Sequence, residues 1–314
     1  MRNPFSRRNR GGAADPWWRT LAEPDLLRAE PETPCAVVHA LREFARREVG
    51  LVVVDGGDGT VREVLSALPQ TYGAEPPVLA VLASGTTNLI AADVGAGRSD
   101  PATICALARL ARTGVPAARV ERRRVLEVSW PDGSHPPVSG MFLGAGAFTR
   151  ATELSFRVVR RHGHLDEGAG VAATLVSALA RTVIGRERDD WLKGDPICVS
   201  GPDGGMIGGP RFLVLATTLH KLMLGLWPFW GEGKGGLRYL DVAAPPRRLA
   251  AALPAVMYGR PRPWMAEAGY RSGLSDRLDI ALTQAFIVDG EHFAPGPGGT
   301  VRVQAGRTVD FIVP

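Results

Sequence analysis

Two aliphatic runs set the fold class. LVVVD at 51–55 and PVLAVLAS at 77–84 each end in a turn of small residues, GGDGT at 56–60 and SGTTN at 84–88, and helical spacing follows both. A strand with one face in water alternates apolar and polar residues, whereas a run apolar throughout belongs to a parallel sheet covered on both faces. The covering helices must come from the connections between strands, and the sequence supplies them. CAVVHALREFARRE (35–48) places Val37, Val38, Leu41 and Ala45 at helical spacing behind Thr33-Pro34. Val61, Val64, Leu65 and Leu68 share one face after GGDGT, and PATICALARLART (101–113) opens with a proline. This alternation of helix, strand and turn is the grammar of an α/β fold.

After Pro116 the texture changes. VERRRVLEVSW, ICVSGPDGG, RFLVLATTL, RLDIALTQAFIVDGEHF and VRVQAGRTVDFIVP read as short strands punctuated by glycine and proline. One helical segment, at about 166–186, interrupts them. With 314 residues the chain has room for two domains. The expectation is α/β with a three-layer α/β domain over 1–118 and a mainly antiparallel, β-sandwich-like domain over 119–314, whose last strand can return to the first domain.

The net charge of +5 favours anionic partners, but no basic stripe interleaved with aromatics is present, so no nucleic-acid partner is expected. Arg122, Arg123 and Arg124 read as a solvated strand face. Cys35, Cys105 and Cys198 fit neither a disulfide framework nor a zinc spacing and read as buried, reduced thiols of a cytoplasmic protein. No secretory signal is visible. The longest apolar candidate, FLVLATTLHKLMLGLWPFW, is broken by His220, Lys221 and Pro228, so contact with a membrane is expected to be peripheral at most.

A strand, a glycine turn and a helix together point backbone N–H groups at an anion, and glycine lets that anion approach. Thr60 can cap the helix or donate to a phosphate. Asp58 is out of place beside phosphate unless it handles a metal ion or a proton. Taken alone, GGDGT also fits a tight turn with no ligand. It is neither a dinucleotide fingerprint nor a Walker A loop, and GAGAF at 144–148 reads as strand packing. Two such turns at the carboxyl ends of neighbouring parallel strands face one crevice.

That pair of turns, together with Asn-Pro-Phe-Ser at 3–6 and Val-Asp-Gly-Glu at 288–291, resembles the diacylglycerol kinase catalytic-domain family, which includes sphingosine kinases and bacterial lipid kinases. The resemblance implies ATP with Mg2+ in a cleft between an α/β nucleotide domain and a β-sandwich domain that holds a lipid. It implies that Gly56, Gly57, Asp58, Gly59 and Thr60 contact phosphates, and that Asn3, Ser6, Ser84, Gly85, Thr86 and Asn88 complete the nucleotide site. It further implies that Glu291 is the base for the lipid hydroxyl and that Asp289 orients it or holds the metal network. Asp58 is a rival base, since related NAD kinases use this position. Without the other motifs, Asp289 and Glu291 read as a hairpin turn with a solvated glutamate.

Three departures stand out. Leu89 replaces the family's Asp after Asn88. GEGKGGLRYLDV (231–242) keeps only Leu240 and Asp241 of a magnesium-supporting Asp-Asp-Gly-x-Leu-Asp loop, which leaves Asp241 as a weak metal candidate. Only Met1 and Arg2 precede Asn-Pro, where the family has a whole strand, so either a start upstream or an incomplete crevice edge is expected. HKLMLGLWPFWG (220–231) fits a membrane interface or acyl-chain channel as well as it fits ordinary core. The expected activity is phosphorylation of a lipid such as diacylglycerol or a sphingoid-type alcohol. The alternatives are a nucleotide- or lipid-binding protein that has lost catalysis and an NAD kinase, though the latter's Asn-Glu pair is missing. The resemblance allows a homodimer, with no coiled-coil or interface signal to support one.

Overall fold

A computed structural model describes residues 1–10, 25–114, 116, 119–153, 188–200 and 205–313. The elements used below are α1 (Pro34–Arg46), β1 (Leu51–Gly56), α2 (Asp58–Thr71), β2 (Val78–Ala83), α3 (Leu89–Val94), α4 (Pro101–Thr113), β3 (Val120–Ser129), β4 (Val138–Gly140) and β5 (Phe142–Gly146). They continue with β6 (Asp195–Ser200), β7 (Met206–Ile207), β8 (Pro210–Thr217), β9 (Leu237–Ala243), α5 (Leu249–Met257), β10 (Tyr270–Ser275), β11 (Arg277–Leu282), β12 (Phe286–Val288), β13 (Glu291–Phe293) and β14 (Thr300–Ile312). The helix expected near 166–186 lies outside the described residues. Two compact units divide the chain, Met1–Val125 with Arg307–Pro314, and Leu126–Gly306.

The first unit is α/β. β1 and β2 pair in parallel from Leu51↔Val78 to Gly56↔Ala83, and Phe311 of β14 pairs in parallel with Leu79 on the far edge of β2. On the other edge of β1, Arg2 bridges to Asp55 in parallel; Asp55 donates its N–H to the Met1 carbonyl at 2.9 Å and accepts from the Asn3 N–H at 2.9 Å. Thr33 caps α1 by accepting from the Ala36 N–H at 3.2 Å, and Asp100 caps α4 by accepting from the Thr103 N–H at 2.8 Å. α1 buries Val37, Leu41 and Phe44, while Val38 and Ala45 stay half-buried; α2 buries the four expected residues. Ile104 and Leu107 of α4 pack on Ala80, Leu82 and Ile312. Alternation turns Val52 and Val54 to the opposite face, toward α2 and its neighbour α1, so both faces of these strands are covered.

Arg122, on β3, makes a two-pronged bond with Asp310 at 2.7 and 2.9 Å in water. Arg123 corrects the solvated-face reading. It is buried and donates to Asp93 of α3 at 2.7 Å, because the strand alternation turns it inward against the helix. The cysteine reading is corrected as well: none of the three is in a disulfide among the described residues, but Cys35 is exposed and Cys105 and Cys198 are only half-buried.

The second unit is antiparallel wherever its strands pair. One sheet runs β10-β9-β8-β5-β12-β13; the other contains β3, β4, β11 and β14. β6 joins them, since Asp195 and Pro196 pair with β8 while Ile197, Cys198 and Val199 pair with β11. Leu126, Trp130, Leu143, Val214, Ile280 and Phe286 belong to the shared core. Gly144 supports the packing reading of GAGAF: a Cβ there would lie 2.2 Å from the Phe148 ring. Among the described residues, no helix is long and apolar enough to cross a membrane.

Candidate active site

Three loops of the first unit are sewn together at the carboxyl ends of its parallel strands. The Asn3 side-chain amide donates to Thr60 Oγ1 at 2.7 Å, tying Asn-Pro-Phe-Ser to GGDGT. Its Oδ1 accepts from the Phe5 N–H at 2.8 Å, and its carbonyl accepts from Ser6 Oγ at 3.1 Å, so Asn3 also holds its own turn. The Arg8 N–H donates to the Ser84 carbonyl at 3.2 Å, reaching the second loop. Asn88 closes that loop on itself: its Oδ1 accepts from the Gly85 N–H at 2.9 Å and its amide donates to the Gly85 carbonyl at 3.0 Å. Asn88 adopts the left-handed region at φ 51, a conformation that asparagine tolerates better than most side chains.

The glycines of the two motifs face each other. A Cβ on Gly57 would lie 2.9 Å from Gly85 Cα, and one on Gly85 would lie 2.4 Å from Gly57 Cα and 2.8 Å from Asn88 Oδ1. These glycines therefore let two backbones touch, a need that arises before any ligand is considered. Gly56 differs, because a Cβ there would run into the Thr60 side chain at 2.5 Å.

Asp58 explains its own presence in the same way. Its Oδ2 accepts from the Leu89 N–H and its Oδ1 from the Ile90 N–H, each at 2.9 Å, so it caps α3 from the neighbouring loop. Burial pushes its carboxyl up and these N–H groups pull it back down, with burial the larger effect. Each oxygen thus holds one backbone N–H, so Asp58 has a structural task in the loop whatever chemistry it also serves. Leu89 has no polar side chain to offer where the family has Asp, yet its backbone N–H is one of the two groups that Asp58 grips.

Asp55, fully buried at the end of β1, is a site residue that none of the four motifs contains. It accepts a short hydrogen bond from Ser84 Oγ and a 2.8 Å bond from Ser99 Oγ, with Arg2 Nε at 3.6 Å. An acid ending an aliphatic strand is the signal that marks it, since a buried carboxylate needs partners. Ser84 thus anchors the second loop to the first strand from beneath. The remaining groups suit an anion. The Asp58 and Gly59 N–H groups lie in the first turn of α2, out of reach of intrahelical carbonyls. Thr60 Oγ1 accepts from Asn3 and keeps its proton to donate. Thr86 is half-buried and bonds to nothing among the described residues.

The Val-Asp-Gly-Glu motif lies in the second unit as a two-residue hairpin, Val288↔Glu291, with Asp289 at φ 46 and Gly290 at φ 88. Asp289 is buried; its Oδ2 accepts from the Met141 N–H at 2.9 Å and its Oδ1 from the Phe142 N–H at 3.0 Å. A Cβ on Gly140 would lie 2.4 Å from Asp289 Oδ2, so glycine there makes room for the carboxylate. Glu291 is exposed.

Residues 3–119 match the family model for the diacylglycerol kinase catalytic domain. These residues belong to the diacylglycerol kinase catalytic-domain family. A relative named diacylglycerol kinase, from Bacillus subtilis, is 41% identical over 70 residues, a stretch covering 22% of this chain and 22% of that protein. A crystal structure of a diacylglycerol kinase from Bacillus anthracis superposes with a TM-score of 0.58 at 15% identity, covering 99% of this chain and 94% of that one. At that identity the likeness shows the fold.

The expected metal position does not suit a cation. Asp241 is buried, with Arg211 Nε 2.7 Å from its Oδ1, although the angle between them is poor and neither atom makes a well-formed hydrogen bond. The terminal nitrogens of Arg211 donate to the Ile207, Gly208 and Pro210 carbonyls at 2.9, 3.2 and 3.2 Å. Burial pushes the Asp241 carboxyl up to about 6, against the pull of Arg211 and Arg271. The expectation of a metal at Asp241 is thus corrected, as a guanidinium stands where the cation would. No group of three or more His, Cys, Asp or Glu suited to a metal exists among the described residues.

Proposed function

We propose that this chain is an ATP-dependent lipid kinase that transfers the γ-phosphate to a lipid hydroxyl such as that of diacylglycerol or a sphingoid-type alcohol. The observation carrying this reading is the stapled pair GGDGT and SGTTN, in which glycine contact, the Asp58 cap and the Asn88 ring fix a cluster of N–H and hydroxyl donors before any nucleotide arrives. Phosphoryl transfer asks for alignment, for donors around the phosphate charge and for an acceptor of the hydroxyl proton. The Asp58 and Gly59 N–H groups with the Thr60 and Thr86 hydroxyls supply the donors. Glu291 is the proton acceptor, and Asp289 is the positioning residue that fixes the hairpin presenting it. Asp58 likewise acts through the loop it caps. Mg2+ in this reading enters bound to ATP, since the residues around Asp241 do not fit one.

Incubating purified protein with a lipid extract and labelled ATP, then identifying the labelled product by mass spectrometry, tests the proposal. A phosphorylated lipid that disappears when divalent ions are chelated is the expected result, and absence of transfer to any lipid overturns it. The Arg211–Asp241 pair favours a second reading, a nucleotide- or lipid-binding protein of the same fold without catalysis. ATP binding by calorimetry with no turnover would establish that reading instead.

A further inference from the structure

Several arginines and lysines at the surface of this protein find a carboxylate: Arg47 with Glu43, Arg112 with Asp25, Arg122 with Asp310, Lys193 with Asp190, and Arg277 and Arg302 with Asp279. Arg247, Arg248, Arg260 and Arg262 do not, and unlike other exposed cations without an ion pair, such as Arg98, Arg109 and Lys234, they fall together in one short stretch. All four are exposed, and none is in an ion pair among the described residues. Residues 245–267 hold these four arginines and a single acid, Glu267. They stand at the two ends of α5, Leu-Ala-Ala-Ala-Leu-Pro-Ala-Val-Met, which has no charged or polar side chain. Only Ala252 and Ala255 of this helix are buried.

A second apolar turn docks beside it. The Trp227 N–H donates to the Met257 carbonyl at 2.7 Å, and Gly259 packs so closely that a Cβ would lie 2.4 Å from the Phe229 carbonyl and 2.7 Å from that of Trp227. This contact brings the 223–227 turn to the end of α5, next to Tyr258. Leu224 in that turn is 64% exposed and Tyr258 is 53% exposed, two of the three large apolar side chains exposed among the described residues. Leu224 also adopts a left-handed backbone at φ 56, a strained conformation for leucine, with its side chain in water. Trp227 and Trp264 are half-buried, with the guanidiniums of Arg238 and Arg248 5.5 and 5.3 Å from their ring centres.

We infer that this face, built from α5, Tyr258 and the Leu224 turn and ringed by Arg247, Arg248, Arg260 and Arg262, docks on an anionic lipid bilayer. An apolar patch flanked by arginines that no carboxylate neutralises, with aromatic rings at its margin, matches the layered chemistry of a membrane interface, apolar below and anionic at headgroup level. A second copy of the chain suits it poorly, because self-pairing would set four like charges against four. This surface extends the 220–231 segment with α5 and its arginines, which lie some twenty to forty residues further along the chain. The inference needs no nucleotide and stands apart from the kinase reading.

Co-sedimentation of the full chain, without ATP, with phosphatidylcholine vesicles containing or lacking phosphatidylglycerol tests it. Binding is expected only to the anionic vesicles and to weaken as salt is raised. Arg247→Gln, Arg248→Gln, Arg260→Gln and Arg262→Gln combined should weaken it several-hundredfold, at roughly fivefold per charge. Leu224→Asn, which suits the left-handed turn, should weaken it several-fold more. Circular dichroism and thermal melting of these variants should match the native protein, which separates loss of docking from loss of fold. Equal binding to neutral and anionic vesicles, or full binding by the quadruple variant, overturns the inference. So does a face that instead mediates self-association or captures an acidic protein.

Discussion

Asp58 and Asp289 lie in different units yet are used alike. Each sits in a glycine turn and offers its two oxygens to two consecutive backbone N–H groups, Leu89 and Ile90 in one case, Met141 and Phe142 in the other. Each also has a glycine nearby where a Cβ would not fit. They differ in what is held. Asp58 ties together two loops from successive strand–helix units and so fixes a bed of donors. Asp289 ties a two-residue hairpin to a neighbouring strand and so fixes where the exposed Glu291 stands. A carboxylate inside a catalytic-looking motif can thus be scaffolding, and the residue to suspect of chemistry is the one whose carboxylate stays in water.

The sharpest way to break this contrast is Glu291→Gln. If Glu291 accepts the proton, kcat should fall by roughly 10^2 to 10^4. Stability should move by no more than about 0.5 kcal/mol, as for other exposed side chains. Unchanged turnover of the labelled lipid would move the base elsewhere. Asp58→Ala should behave in the opposite manner. Two backbone N–H groups, one buried and one partly so, are deprived of a charged acceptor, so stability should drop by about 2–4 kcal/mol in denaturant titrations, and ATP affinity measured by calorimetry should drop with it. Asp58→Asn keeps one acceptor oxygen and should recover part of both effects. A dead Asp58→Asn enzyme with undiminished ATP affinity would make Asp58 the base after all.

Glycine substitutions sharpen the same comparison on the backbone. Gly85→Ala meets Gly57 and Asn88 and should cost about 1–3 kcal/mol by overpacking, with a raised KM for ATP because the donor bed shifts. Gly290→Ala has open space around it but sits at φ 88, so its cost should be conformational, about 1 kcal/mol. A thermal-melt comparison in which Gly290→Ala is the more harmful would show that the two loops are not held by close contact.

The fold class and the facing pair of glycine loops were legible because each rests on local chemistry, whereas Asn-Pro-Phe-Ser joined them only through the family resemblance. Aliphatic runs demand covered strands, Thr33 and Pro101 mark helix starts, and Asp289-Gly290 specifies a two-residue hairpin. The roles of the acids were not legible, because their partners are distant in sequence. Asp58 meets N–H groups some thirty residues on, Asp289 meets Met141 and Phe142, and Asp241 meets Arg211, which opens a different strand. Arg123 illustrates the same limit. Three consecutive arginines look uniform in sequence, yet strand alternation sends the middle one inward to Asp93.

Asp241 supplies the smallest effect and the test of whether arginine has taken the cation's place. Its carboxyl lies near 6 in the folded chain against a usual value of 3.8, with burial outweighing Arg211 and Arg271. Between these values the folded state holds a proton that the unfolded state has released, so this group's contribution to stability is full below about 4 and is lost as pH rises through about 6. Asp279 and Asp310 act in the other direction, since Arg302 with Arg277 and Arg122 hold them below the usual range and their contributions fade as pH drops. The difference between the native protein and Asp241→Asn isolates the one group. Lowering the pH from 6 to 5 should favour the native protein over the variant by about 1 kcal/mol in urea midpoints, whether or not Mg2+ is present. A flat difference from pH 7 to 4 would mean that Arg211 keeps Asp241 ionised. A difference that appears only with Mg2+ would mean that the carboxylate still meets a metal ion.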